Sequence, residues 1–139
     1  MCGIAGYIGD QKIESSVVRK TLTLMKNRGP DYKNFYQTEI NKAQILLLHS
    51  RLSIIDLESR SNQPFFKDDL VIVFNGEIYN YLELKKKLIQ KKYSFKTNSD
   101  TEVIVNLYEE YGEDCTKFLR GMFSFVIWDD NKKKLFGAR

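Results

Sequence analysis

The order of apolar segments along this chain predicts an α+β fold built on mainly antiparallel sheets, and three observations carry that expectation. Strand-like segments gather towards the two ends with helical segments between them, the order of stacked α+β layers and not of a regular βαβ succession. Polar turns of hairpin type join neighbouring strand-like runs, which favours antiparallel pairing. The 139 residues are 42% hydrophobic and 13% aromatic, enough for one domain with a core and too few for two ordinary ones. No internal repeat, low-complexity tract or linker divides the chain.

Each element has its own signal. Ile4 to Ile8 is short, apolar and bounded by glycines, which reads as a buried first strand. Ser15 or Ser16 is placed to cap a helix running to about Asn27, with Val17, Val18, Leu22, Leu24 and Met25 forming its apolar face. Arg28-Gly29-Pro30-Asp31 ends that helix, because proline disfavours helical backbone in the residue before it. Asn34 to Thr38 and Ala43 to Leu48 read as strands joined by a polar turn, and Leu70 to Phe74 as another after the turn at Lys67-Asp68-Asp69. Tyr81 to Lys92 reads as a helix exposed on its lysine side. Thr101 to Tyr111 reads as a further helix, where Val103, Ile104, Leu107, Tyr108 and Tyr111 recur near helical spacing and Gly112 supplies a stop. Met122 to Trp128 is strand-like, and the polar turn from Asp129 through Lys134 leads to the apolar pair Leu135 and Phe136.

Charge and cysteine content narrow the function classes. Twenty-two Lys+Arg against 18 Asp+Glu give a net charge of +4, and the excess lies in runs such as Lys85-Lys86-Lys87, Lys91-Lys92 and Lys132-Lys133-Lys134. These are solvated helix faces and a turn, without the interleaved aromatics or motif of a nucleic-acid surface, so no nucleic-acid partner is expected. Cys2 and Cys115 are far apart and show no metal-ligand or disulfide spacing. There is no signal-peptide pattern and no run of membrane-spanning length, so a cytoplasmic protein without a membrane partner is expected.

The second residue is the chemically interesting one. A lone cysteine is commonly a small core residue, and an edge strand gives Cys2 that ordinary role. The alternative is specific: once Met1 is removed, thiol and free α-amine sit on one residue. An α-amine has a pKa of about 7.7–8.0, so a fraction of it is free base near neutral pH and can take the thiol proton directly or through water. A lysine amine would be almost wholly protonated at that pH. Gly3 lets a substrate approach the backbone closely, and methionine removal is usual before a residue as small as cysteine.

Seven segments occur in order: MCGIAGYIG, RGPD, HSRLSIIDL, NQPF, VFNGEIYNY, SDTE and LRGMFSFVIWD. Together they resemble the N-terminal glutamine amidotransferase domain of the glutamine-hydrolysing asparagine synthetase B family, a class II amidotransferase and N-terminal nucleophile hydrolase. The resemblance covers essentially the whole chain. It implies a four-layer αββα sandwich and hydrolysis of L-glutamine to glutamate and ammonia by Cys2, with no metal and no cofactor in this domain.

The resemblance also implies roles residue by residue. Arg51 is expected to hold the glutamine α-carboxylate, using its planar guanidinium as a bidentate clamp, with Leu52, Ser53, Ile54 and Ile55 shaping that side of the pocket. A surface arginine beside a strand is the plainer reading. Asn75-Gly76 is on its own a strong hairpin signal; the resemblance adds the Asn75 amide and the Gly76 N–H as oxyanion donors. Glu77 and Asp100 are expected to meet the substrate α-ammonium, although Ser99 to Glu102 also has the form of a capping box. His49 is expected to make a structural hydrogen bond, Arg28 and Asp31 to hold the loop beside Cys2, and Cys115 to lie in the core.

Relatives continue past LFGAR as ARDR-x-G-x-KPLY and then carry an ATP-dependent synthetase domain with an SGG-x-DS loop. Residues 1–139 are therefore expected to be a glutaminase domain incomplete at its C-terminus, in need of a synthetase domain or subunit to receive ammonia. Mg-ATP is implied only for that missing domain, and a homodimer is among the assemblies the resemblance allows. Two other readings stay open at this stage: a glutaminase half serving a different acceptor, such as a sugar or peptide carboxylate, and a non-catalytic fragment that keeps the fold.

Overall fold

The computed structural model describes residues 1–139. Ten elements follow one another: β1 (Gly3–Gly9), α1 (Ser15–Leu24), β2 (Tyr32–Ile40), β3 (Ala43–Arg51), β4 (Phe65–Lys67), β5 (Leu70–Ile78), α2 (Tyr81–Gln90), α3 (Asp100–Tyr111), β6 (Gly121–Asp129) and β7 (Lys134–Ala138). They form two antiparallel sheets, one of order β1-β3-β2 and one of order β4-β5-β6-β7.

Side-chain alternation along the strands stacks these sheets face to face. Ile45 and Leu47 of β3 pack against Val71 and Val73 of β5 and Trp128 of β6. Leu46 and Leu48 point the other way, onto Val18 and Leu22 of α1. On the far side of the second sheet, Ile72, Phe74, Phe125 and Ile127 meet Leu84 and Leu88 of α2 and Val103 and Leu107 of α3. The order is therefore α1, sheet, sheet, α2 with α3, the four-layer αββα arrangement. Strand β3 is covered on both faces, and eight of its nine residues are buried.

Several local expectations change. Glu14, not Ser15 or Ser16, occupies the N-cap of α1 and makes no side-chain cap bond. Val17 and Leu24 are exposed, so the buried stripe of α1 is Val18 and Leu22 at i,i+4 spacing, with Met25 alongside in a closing 3₁₀ turn. Asn75-Gly76 forms no hairpin turn: both residues lie within β5, opposite Ser124 and Phe123 of β6. An Asn-Gly pair inside a strand needs another cause, and Gly76 supplies it. Its φ is +150°, and an added Cβ would lie 2.3 Å from the Met122 carbonyl oxygen.

The capping box of α3 is only half reciprocal. Ser99 accepts the Glu102 N–H at 3.4 Å, but the Glu102 carboxylate reaches back beyond Ser99 to the N–H groups of Lys96 and Thr97, at 2.9 and 2.7 Å. Strand β4 and the 3₁₀ segment Gly112–Phe118 were not foreseen; each is short and carries little periodic signal. No helix is long and apolar enough to cross a membrane.

Candidate active site

Strand register brings Cys2 to the end of β3. Gly3 pairs with Ser50 and β1 runs antiparallel to β3, so the next residue out, Cys2, falls beside Arg51 and Leu52. Cys2 shares the strand face of Ile4, which packs between the sheets, and so its side chain faces the second sheet. The Leu52 N–H donates to Cys2 Sγ at 3.4 Å, and the thiol lies 3.6 Å from the Leu52 carbonyl.

The RGPD segment fixes this corner. Arg28 Nε donates to the Cys2 carbonyl at 3.0 Å, Asp31 N donates to the Arg51 carbonyl at 3.0 Å, and Asp31 Oδ2 accepts the Ser53 N–H at 2.7 Å. Gly29 passes so close to β3 that a Cβ would sit 2.2 Å from the Ser50 carbonyl oxygen, which leaves room for glycine alone. The expected loop-holding role of Arg28 and Asp31 is thus present in the hydrogen bonds.

A cavity of about 120 Å³ opens from Cys2 between the two sheets. Arg51, Leu52, Ile54 and Ile55 line one side of it, and Gly76, Glu77 and Asp100 another. Ile54 and Met122, both 68% exposed, stand among its lining residues with the exposed Glu77. Two of the expected site residues are not in the lining. Ser53 turns to Asp31, and Asn75 lies next to the lining residue Gly76 with its Oδ1 buried and unpartnered.

Arg51 does more than the sequence indicated. The residue is 4% exposed, with Nη1 donating to the Glu58 carbonyl at 3.1 Å and to Asn62 Oδ1 at 2.8 Å. Nη2 donates to the carbonyls of Ile55, at 3.3 Å, and Asp56. The side chain therefore organises the 55–62 loop, and a bidentate grip on a carboxylate requires it to exchange some of these acceptors. Asp56 in turn accepts the Asn98 N–H at 2.6 Å, which ties the same loop to the start of α3.

Asp100 and His49 show what burial does here. Burial is the largest influence on Asp100 and raises its carboxyl above the usual range, opposed by the Ile78 N–H, which donates to Oδ2 at 3.1 Å. His49 is fully buried, and burial pushes its pKa down to about 4. Its Nε2 lies 3.0 Å from the Phe74 carbonyl, the structural bond expected of it. Cys115 is also fully buried, and burial pushes its thiol up to about 11.

A family model described as a glutamine amidotransferase domain matches residues 1–139, the whole chain. The chain belongs to this family. It is 37% identical to asparagine synthetase [glutamine-hydrolyzing] 1 of Bacillus subtilis (strain 168), covering 100% of this chain and 22% of that protein. It is 42% identical to asparagine synthetase [glutamine-hydrolyzing] 1 of Arabidopsis thaliana, again over 100% of this chain and 24% of the relative. A putative asparagine synthetase [glutamine-hydrolyzing] 2 of Methanocaldococcus jannaschii is 38% identical over 100% of this chain and 30% of its own length. The chain thus spans between a fifth and a third of these curated relatives. Among solved structures, the glutamine phosphoribosylpyrophosphate amidotransferase of B. subtilis, complexed with ADP and GMP, matches at TM-score 0.53 and 23% identity. The match covers 62% of this chain and 21% of that one, a likeness of fold.

Within this amidotransferase domain the NQPF segment supports the site, a role no residue type in it announces by itself. Asn62 accepts from Arg51, while the buried Gln63 accepts the Phe74 N–H at 2.6 Å and donates to Thr101 Oγ1 at 3.3 Å. Ser61, Gln63, Phe74, Ser99, Thr101 and Met122 also line the cavity. The available signal was a polar Gln set directly before the apolar Pro64-Phe65-Phe66, since an amide buried with such a run needs partners.

Proposed function

We propose that this domain hydrolyses L-glutamine to glutamate and ammonia with the Cys2 thiol as nucleophile, and that the ammonia serves an asparagine-forming synthetase domain or subunit. The observation that carries the reading is the single cavity that joins Cys2 to Arg51, Gly76, Glu77 and Asp100. In this reading the α-amine of Cys2, free once Met1 is gone, takes the thiol proton as sulfur attacks the amide carbon of the glutamine side chain. The Gly76 N–H and the Asn75 amide donate to the oxygen that gains negative charge. The ammonium of Cys2 returns the proton to the leaving nitrogen, the C–N bond breaks, and ammonia departs from a γ-glutamyl thioester. Water then attacks that thioester, giving glutamate and restoring the thiol. The developing charge is met by N–H donors, so the step is assigned no cofactor; Mg-ATP belongs to the synthetase reaction.

Arg51 holds the α-carboxylate in this scheme, trading loop carbonyls for the substrate, while Glu77 and Asp100 attract the α-ammonium. Arg51→Ala is expected to raise KM for glutamine about 30-fold or more, the consequence of losing roughly 2 kcal/mol or more from a buried charged contact. Its Tm falls as well, because four acceptors of the 55–62 loop lose their donor. An unchanged KM contradicts the carboxylate assignment. Asn75→Ala is expected to lower kcat by about 10²–10³-fold with little change in KM.

Acidification has a definite sign. A carboxyl held above its usual pKa gains its proton early as pH falls, and the neutral form no longer attracts an ammonium. KM for glutamine is therefore expected to rise on the acid side before an ordinary carboxylate would titrate, and Asp100→Asn should remove that pH dependence while raising KM throughout.

The experiment for the reaction itself is a glutamine-to-glutamate assay, with ammonia measured in parallel, on protein whose intact mass shows Met1 removed. Equal release of glutamate and ammonia supports the proposal; binding of glutamine without turnover supports the non-catalytic reading and sinks it. The named relatives are all asparagine synthetases, which favours that acceptor over a sugar or peptide carboxylate.

A further inference from the structure

Both backbone polar groups of Phe74 are held by buried side chains, one residue before Asn75-Gly76. Gln63 Oε1 accepts the Phe74 N–H at 2.6 Å, and the Phe74 carbonyl lies 3.0 Å from His49 Nε2. The cause is topological. Strand β6 pairs with β5 along its full length, whereas β4 pairs with it only from Leu70 to Ile72. Residues alternate along an antiparallel strand in which neighbour their N–H and C=O address. Ile72 addresses β4, so Phe74, Gly76 and Ile78 address the same side after β4 has run out. Side chains fill the vacancy at two of the three: Gln63 and His49 at Phe74, and Asp100 at Ile78. Gly76 lies between them and lines the cavity, and the same alternation turns its N–H to that side.

The chemistry of the two side chains fits a holding role. A carbonyl can only accept, so His49 Nε2 carries the hydrogen and Nδ1 is the bare nitrogen. Nδ1 is buried without a partner, which makes the Phe74 carbonyl the only polar anchor of this ring. Gln63 spends its other end on Thr101 Oγ1, next to Asp100, and so couples the β5 edge to the first turn of α3. Burying two polar side chains at one residue's backbone is costly where apolar ones would fill the space. It makes sense where the direction of the following residues matters.

We propose that Gln63 and His49 are positioning residues that lock the backbone on both sides of the Phe74 Cα and thereby aim the donors of Asn75 and Gly76 at the substrate oxygen. The proposal rests on the oxyanion reading of Asn75 and Gly76 given above.

The test measures kcat and KM for glutamine in Met1-free Gln63→Leu and His49→Leu proteins, with competent sites counted by stoichiometric alkylation of Cys2. Because displacement of a reacting group by about 1 Å costs up to about 10²-fold, each variant is expected to lose roughly 10–100-fold in kcat per counted site, with KM within about threefold of the parent. His49→Gln, which keeps an N–H where Nε2 was, should restore most of the loss. Gln63→Asn keeps an amide but draws its oxygen back by a methylene. It should reproduce the Gln63→Leu defect and serves where leucine prevents folding, as His49→Gln against His49→Asn does at the other position. Unchanged kcat per site, or a rise in KM at constant kcat, overturns the proposal. Asn75→Ala run alongside separates the two ideas. If it is fully active, the oxyanion reading falls; if it is impaired while the Gln63 and His49 variants are not, the positioning role alone falls.

Discussion

Cys2→Ala is expected to abolish glutamine hydrolysis, lowering kcat by about 10⁴-fold or more, the scale seen when a nucleophile is deleted from a site whose members act as a unit. Glutamine should still bind, because the change removes one sulfur atom and leaves Arg51, Gly76, Glu77 and Asp100 around the cavity. Titration calorimetry on the variant measures that retained affinity. Cys115→Ala is the control: its thiol is fully buried in the 3₁₀ segment after α3 and is held protonated by that burial, so kcat is expected to stay at the parent value. A Cys2→Ala protein within tenfold of the parent would remove the nucleophile from the account.

Retention of Met1 is expected to be almost as damaging. The nitrogen of Cys2 is then an amide, whose lone pair is delocalised into the Met1 carbonyl and cannot accept a proton. General-base assistance contributes about 10²–10⁴-fold in typical enzymes, and that factor should be missing from the Met1-bearing form. Met1 also lines the cavity and occupies space beside the thiol. Two pools of one preparation, separated and identified by intact mass, give the comparison; equal kcat in the two would mean that the α-amine is not the base.

The elements were legible because local apolar pattern reports burial. Unbroken apolar runs mark β3 and β5, which are buried on both faces, and apolar spacing marks α2 and α3, whereas the four-layer order around Trp128, Leu46 and Leu107 was implied by the family resemblance alone. Cys2 and Arg51 were legible through residue type and motif, and the register of β1 on β3 supplies the contact between their segments. Asn75-Gly76 carries a hairpin signal that the fold does not use, because the local code for a two-residue hairpin and the need for a glycine at a crowded strand position look the same in sequence. Arg51 as organiser of the 55–62 loop was hidden for a different reason: its acceptors are mostly backbone carbonyls, which any residue supplies. Gln63 and His49 acquire their partners from the early end of β4, a tertiary fact that no local pattern records.

The most direct test of the account is to catch the acyl group. Met1-free protein is mixed with glutamine, quenched in acid within one turnover so that the Cys2 amine is protonated and the thioester survives, and digested for peptide mass analysis. The account predicts a γ-glutamyl adduct on the peptide that begins at Cys2 and none on the peptide carrying Cys115. Turnover with no adduct on Cys2 at any quench time, or an adduct on a different residue, would contradict it.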